Sequence, residues 1–163
     1  MMTEILDSTL RDGMQGEGVN FSKADKFKIF TALDNFGVDY IEAGNPFASH
    51  KDLEFFKEIA GRRHGNKAVA FGSTVRKGMT AEEDECIAAL LKAETRCVTV
   101  FGKAWDLHVD CILGVSLEEN LRMIESTIAY LKAKGRKVIF DAEHFFDGYK
   151  ANEKYALEVI KTA

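Results

Sequence analysis

The sequence predicts an α/β fold of five consecutive βα units, on three observations. Short apolar runs at Ile5-Leu6, Val38 to Ile41, Ala68 to Phe71, Cys97 to Phe101 and Val138 to Phe140 are each followed by a longer stretch of helical periodicity. The runs are apolar on both parities, as expected of parallel strands covered on both faces. Polar residues gather where the runs end: Asp7 to Asp12, Glu42, Ser73-Thr74, Lys103 and Asp141 to Asp147. Two architectures are built from such units, a doubly wound sheet, complete with five strands, and a (β/α)8 barrel, which takes about 250 residues. Both gather ligands at the carboxyl ends of the strands, so polar groups there carry the functional expectation.

The helices are predicted from their own punctuation. Ser22 with Asp25, Thr80 with Glu83 and Ser116 with Glu119 have the capping-box spacing that satisfies orphan N–H groups of a first turn. Gly37 and Gly135 supply stops. Between these signals, Phe27, Phe30 and Leu33, and Leu117, Leu121, Ile124, Ile128 and Leu131, form apolar stripes with Lys and Glu on the opposite side. No repeat and no Pro/Ser/Gly-rich linker divides the 163 residues, so one domain is expected.

Composition narrows the partners. With 46% hydrophobic and 29% charged residues the chain is an ordinary globular sequence, and its net charge of −4 without a Lys/Arg-rich stretch argues against a nucleic-acid surface. Cys86, Cys97 and Cys111 are odd in number and lack Cys-x-x-Cys spacing, which indicates neither a disulfide framework nor a structural zinc site and suits a reducing cytoplasm. Glu4 and Asp7 stand where a signal peptide would be basic, and no apolar run reaches membrane-spanning length. The expectation is a cytoplasmic protein acting on small molecules.

Three constellations offer chemistry. In Arg11-Asp12 with Gln15, Asp12 suits a hard divalent cation and Arg11 suits a developing enolate oxygen; the competing reading is a surface ion pair in a glycine-rich loop. In Asp141-Ala142-Glu143-His144, alternation places Asp141 and Glu143 on one strand face, where burial and like charge suit proton transfer, with Glu143 the candidate; otherwise these residues cap a helix or face solvent. In Phe101 to His108, Lys103, Trp105 and His108 suit a phosphate-bearing acyl carrier, although a lone Trp is commonly a packing anchor. Glu42 reads as support for the site or as a buried structural hydrogen bond.

The run Gly13 to Gly18 matches neither the dinucleotide fingerprint nor the P-loop, and reads as a mobile loop over the site. His50 begins a helix and His64 lies between a helix and a strand at the end away from the chemistry, leaving His108 and His144 near it. No His-x-His or His-x-x-x-His pair exists to join Asp12 around a transition metal.

The string Thr9-Leu10-Arg11-Asp12-Gly13-Met14-Gln15-Gly16-Glu17-Gly18, with Val38 to Glu42, Phe71 to Thr74, Phe101 to His108 and Phe140 to Tyr149, resembles the citramalate synthases of the isopropylmalate/homocitrate synthase family. The resemblance covers the whole chain and implies a metal-dependent (β/α)8 barrel, of which residues 1–163 would be the N-terminal portion of the catalytic domain, with five βα units. It further implies a Claisen-type condensation of acetyl-CoA with a 2-oxo acid, pyruvate in the citramalate branch. Arg11 and Glu143 would then be catalytic, Asp12 would bind Mg, Mn or Zn, and Gln15, Thr74 and Asp141 would contact substrate. Lys103, Trp105 and His108 would lie toward acetyl-CoA. Family members bring a His-x-His metal pair from a later strand, which this sequence lacks, so the isolated chain is expected to be inactive and to self-associate through exposed barrel edges.

Selectivity for the 2-oxo acid stays open at this point, because 2-oxoisovalerate and 2-oxoglutarate differ from pyruvate by groups worth about 1 to 3 kcal/mol of discrimination each. Two further readings also stand. One is a non-enzymatic, receiver-like doubly wound module, distinguished by strand order 2-1-3-4-5 rather than 1-2-3-4-5. The other is a piece that pairs with a separately encoded second half.

Overall fold

The computed structural model describes residues 3–163. It contains five strands, β1 (Leu6–Asp7), β2 (Tyr40–Gly44), β3 (Ala68–Ser73), β4 (Cys97–Lys103) and β5 (Lys137–Glu143). The strands are parallel and ordered β1-β2-β3-β4-β5. Consecutive order is that of a barrel built from βα units, so the receiver-like alternative, which needs β1 between β2 and β3, is excluded. The fold is an incomplete (β/α)8 barrel of five βα units.

The strands run further toward their carboxyl ends than the apolar runs suggest. β2, β4 and β5 take in Glu42, Lys103 and Asp141 to Glu143, because the sheet's hydrogen bonding continues through residues whose side chains are polar. β2, β3 and β4 are buried along most of their length, as double coverage requires. β5, at the edge of the strand order, is only half-buried, which departs from the expectation of a strand covered on both faces.

The helices are α1 (Lys23–Phe36), α2 (His50–Ala60), α3 (Glu85–Lys92), α4 (Asp106–His108), α5 (Leu117–Ala133), α6 (Phe145–Ala151) and α7 (Glu153–Thr162). Ser22 and Asp25 form the full reciprocal capping box, and Ser116 accepts the Glu119 N–H. Gly37 ends α1 at φ 98°, a left-handed turn that favours glycine.

Thr80 departs from the expected cap. Its carbonyl receives the Glu83 and Asp84 amides in a turn, and α3 starts only at Glu85, four residues beyond the position a Thr80 cap predicts, under the Asp84 carboxylate, which accepts from Cys86 N at 2.7 Å and Ile87 N at 3.4 Å. The sequence gives no warning of the π-turn Val109–Leu113 that continues α4 and closes at Gly114.

Two compact units make up the chain. The first contains residues up to Gly72 with Ala89–Thr99. Its core includes the fully buried Phe55 and Phe56 of α2, with the Phe55 ring 4.7 Å from Phe27 and 6.1 Å from Phe30 of α1. Lys26 of α1 is buried too, donating to the Ala43 carbonyl at 2.8 Å and pairing with Asp52, so α1 and α2 are tied to the end of β2 by charge as well as by apolar contact.

The second unit contains Ser73–Ala88 with Val100–Ala163. Its core comprises Ala104, Val109, Ile124, Ile128, Tyr155 and Val159. Gly148 of α6 is obligatory for close approach, since a Cβ there would stand 2.4 Å from the Ala104 carbonyl oxygen.

Candidate active site

In the first unit, β1 ends at Asp7 and the chain turns at once. The Ser8 carbonyl collects the amides of Arg11, Asp12 and Gly13, while Asp7 accepts from the Thr9 amide and hydroxyl. This compact turn lifts Arg11 to the carboxyl end of the strand, where three groups fix it. Its Nε donates to Glu42 Oε2 at 2.6 Å, its Nη1 donates to Asp12 Oδ1 at 2.9 Å, and its guanidinium carbon lies 3.8 Å from the Phe71 ring centroid.

The environments of the two acids differ sharply. Glu42 is 2% exposed at its side chain and Asp12 is 61% exposed. A carboxylate buried to that degree needs a partner, and Arg11 is the partner, so the two possibilities for Glu42 merge: it is a buried hydrogen bond and it orients Arg11. Nη2 of Arg11 has no further partner among the described residues. Its in-plane N–H groups are thus available to an oxyanion in a geometry that costs little to maintain.

Gln15 closes the 3-10 turn Gly13–Gln15, is exposed, and makes no side-chain bond among the described residues. The loop to Gly18 holds a backbone bond from Gly16 N to Gly13 O, followed by one from Val19 N to Gly16 O.

In the second unit, Thr74 follows β3, is buried, and donates its amide to the Phe101 carbonyl at 3.0 Å. Lys103, the last residue of β4, is turned to Glu143, the last residue of β5, and donates Nζ to Glu143 Oε2. Glu143 therefore has an ammonium partner, where like charge from Asp141 was the expectation. The same contact occupies the lysine that the sequence offered to a phosphate. Asp141 is half-buried on the same strand.

A cavity of about 200 Å³ lies beside these strand ends, lined by Thr74, Phe101, Gly102, Lys103, Leu113 and Met123 among others. Its apolar wall, together with the cationic side chains of Arg76, Lys77 and Lys103 in the lining, suits a small acid or acyl group.

Trp105, His108 and His144 collect in one aromatic cluster, with centroids 4.7 Å apart for Trp105 and His108 and 4.7 Å for His108 and His144. Nδ1 of His108 is buried without a partner, and His144 takes a left-handed backbone at φ 55°. The cluster brings together two residues expected near an acyl carrier and one histidine expected near the chemistry. His50 stands exposed on α2, and His64 bonds Asp34 outside both groups.

Sequence reasoning missed Asp84, a fully buried carboxylate that accepts Arg76 N at 2.9 Å and Arg76 Nε at 3.1 Å besides capping α3. Burial pushes its carboxyl up, but the Arg76 amide, the Arg76 guanidinium and the Cys86 amide outweigh burial and hold it below the usual range. The available signal was an Asp directly before an apolar helical run.

The described residues do not by themselves compose a metal centre. No group of three His, Cys, Asp or Glu side chains converges among them. Asp12 offers one hard oxygen, since Arg11 holds the other, and Asp7 is engaged by Thr9.

Consecutive parallel strands of a partial barrel carry, at their carboxyl ends, a guanidinium–carboxylate pair (Arg11 and Glu42) in the first unit and an ammonium–carboxylate pair (Lys103 and Glu143) in the second. The chain belongs to the HMGL-like family, which matches residues 2–163. It is 54% identical over 160 residues to the (R)-citramalate synthase of Aquifex aeolicus, covering 98% of this chain and 30% of that protein. A homocitrate synthase of Sulfurisphaera tokodaii is 35% identical over 163 residues, with 34% of its length covered. Among solved structures, the HMG-CoA lyase of Bacillus subtilis superposes with a TM-score of 0.71 at 17% identity, over 98% of this chain and 55% of that one, which supports the fold. The chain spans about 30% of the length of the citramalate synthases it matches.

Proposed function

We propose that this chain carries strand-end residues of a citramalate synthase, which condenses acetyl-CoA with pyruvate in the cytoplasm and releases citramalate and CoA. The observation that carries this reading is the gap between its identity to citramalate synthases and its lower identity to the homocitrate relative, combined with an Arg11 fixed in place at the end of β1. The reaction needs a base to take a proton from the acetyl methyl group. The resulting carbanion forms a C–C bond to the keto carbon, whose oxygen becomes an alkoxide and takes up a proton. Water then cleaves the thioester.

In this reading Arg11 opposes negative charge on an oxygen of the reacting pair, through the Nη2 edge that Glu42 and Phe71 orient. Glu143 is a carboxylate suited to move a proton, and Lys103 holds its orientation. Asp12, Gln15, Thr74 and Asp141 are assigned to metal or substrate, and Trp105 and His108 to the acyl carrier. Mg, Mn or Zn belongs to the reading through the family, with the exposed Asp12 carboxylate offering it one oxygen. Residues 1–163 are read as the N-terminal part of the barrel's catalytic domain, and self-association through sheet edges is part of the proposal.

The test is a chimera in which this chain replaces the matching stretch of the Aquifex aeolicus synthase. Release of CoA is followed with pyruvate, 2-oxoisovalerate or 2-oxoglutarate in the presence of manganese. Turnover with pyruvate, reduced about 10²- to 10³-fold by Arg11→Ala with little change in KM, is the expected result. Preference for either longer acid over pyruvate refutes the assignment.

A further inference from the structure

We propose that the first unit carries a second ligand site, formed by α1, the end of α2 and the turn Gly61 to Lys67, which takes a small organic dianion with a flat apolar body. The inference is independent of the function proposed above. A half-open cavity of about 330 Å³ lies there, with Phe27, Phe30 and Ile59 as its apolar floor and Arg62, Arg63 and His64 at its rim. That volume lies at the small end of ligand pockets.

The charges are arranged in one direction. Asp34 is the one carboxylate in the lining: Oδ2 lies 2.5 Å from His64 Nδ1, and the buried Oδ1 makes no directed hydrogen bond but lies 2.7 Å from Lys67 Nζ in an ion pair. The Lys67 contact and the His64 contact hold its carboxyl below the usual range against the opposing effect of burial, so it stays ionised and matched. Arg63 Nε lies 3.1 Å from His64 Nε2, and the other ring nitrogen, Nδ1, faces Asp34 Oδ2.

Two guanidinium groups remain without a carboxylate among the described residues. Arg62 lies flat on Phe27, its central carbon 3.8 Å from the ring centroid, which leaves the in-plane N–H groups at its edge unused. Arg63 spends only Nε on His64. The amide of Asn35 and the hydroxyl of Thr31 line the same space, although the hydroxyl already donates to the Phe27 carbonyl.

Two planar forks beside an aromatic floor match an anion with several oxygens attached to a compact ring or chain. A phosphate monoester and a dicarboxylate share that chemistry. The His64 backbone, left-handed at φ 62°, is the turn that brings Arg63 and the ring to the same rim.

The experiment is NMR titration of the full chain with phenyl phosphate, phthalate and inorganic phosphate, following His64 ring, Arg62 and Arg63 Nε–Hε and Phe27 ring signals. Saturable shifts at these residues with phenyl phosphate or phthalate support the site, and whichever binds more tightly names the class of dianion. The double variant R62Q/R63Q should weaken binding about tenfold or more, and R63K, which keeps the charge but loses the fork, should weaken it severalfold. Both variants are at exposed positions, and unchanged signals from the Phe55 and Phe56 core verify folding. Absence of shifts at millimolar ligand, shifts unaffected by R62Q/R63Q, or inorganic phosphate binding as tightly as phenyl phosphate would each overturn the proposal.

Discussion

Replacing Glu42 by glutamine removes the charge that fixes Arg11 while keeping volume and one acceptor oxygen. In the native chain the Nε to Oε2 bond is 2.6 Å long and the Glu42 side chain is 2% exposed, so solvent screens it little. A hydrogen bond to a charged group contributes about 1.5 to 3 kcal/mol; Glu42→Gln keeps such a bond to the Arg11 guanidinium but loses the opposite charge, so the expected loss is part of that figure, about 1 to 2 kcal/mol. Arg11→Ala is the harsher change, because it leaves the Glu42 carboxylate buried and unpaired, and should cost about 3 to 5 kcal/mol. Adding Glu42→Leu to Arg11→Ala should recover part of that loss by removing the stranded charge. Urea unfolding at neutral pH, with midpoints compared at constant slope, measures all three variants. If Arg11→Ala costs less than Glu42→Gln, or if the double variant is less stable than Arg11→Ala alone, the buried pair is not what holds the arginine.

Three other outcomes are expected. Asp84 has a carboxyl below its ordinary value in the fold, so its contribution is present above the unfolded pKa near 3.8 and is lost as pH falls through the folded value; Asp84→Asn should be less stable at pH 7 and show a shallower acid limb in a pH series of thermal melts. Gly148→Ala places a Cβ 2.4 Å from the Ala104 carbonyl and should destabilise by about 1 to 3 kcal/mol in the same melts. Thr127→Val strands the buried amide of Val75, which now donates to Thr127 Oγ1 at 2.9 Å, and should cost about 1 to 3 kcal/mol, with the Val75 amide losing protection in hydrogen exchange.

Much of the architecture was legible because hydrophobic runs and caps are local signals. Ser22 and Ser116 start helices as their spacing predicts, and Gly37 stops one. Thr80 misled because its Glu83 partner completes the motif within a turn, while the residue with buried amides to satisfy was Asp84. Polarity does not mark the end of a strand: at Glu42, Lys103 and Glu143 backbone pairing outlasts the apolar stretch.

At the candidate site, residue types were visible but partnerships were not. Arg11 and Glu42 are 31 positions apart, and Lys103 and Glu143 are 40 apart. No local spacing encodes such contacts; they follow from register between parallel strands. The pairing of Glu143 with an ammonium is the clearest case, since its own neighbourhood in the sequence is acidic.

The seat of Arg11 on Phe71 also has a bearing on the medium in which the chain works. Mobile ions weaken attractions that pass through water, whereas a cation resting on a ring face and facing a carboxylate sheltered from solvent lies largely outside their reach. Added potassium chloride should therefore erode the exposed Asp12 contact first and leave the guanidinium aimed as before.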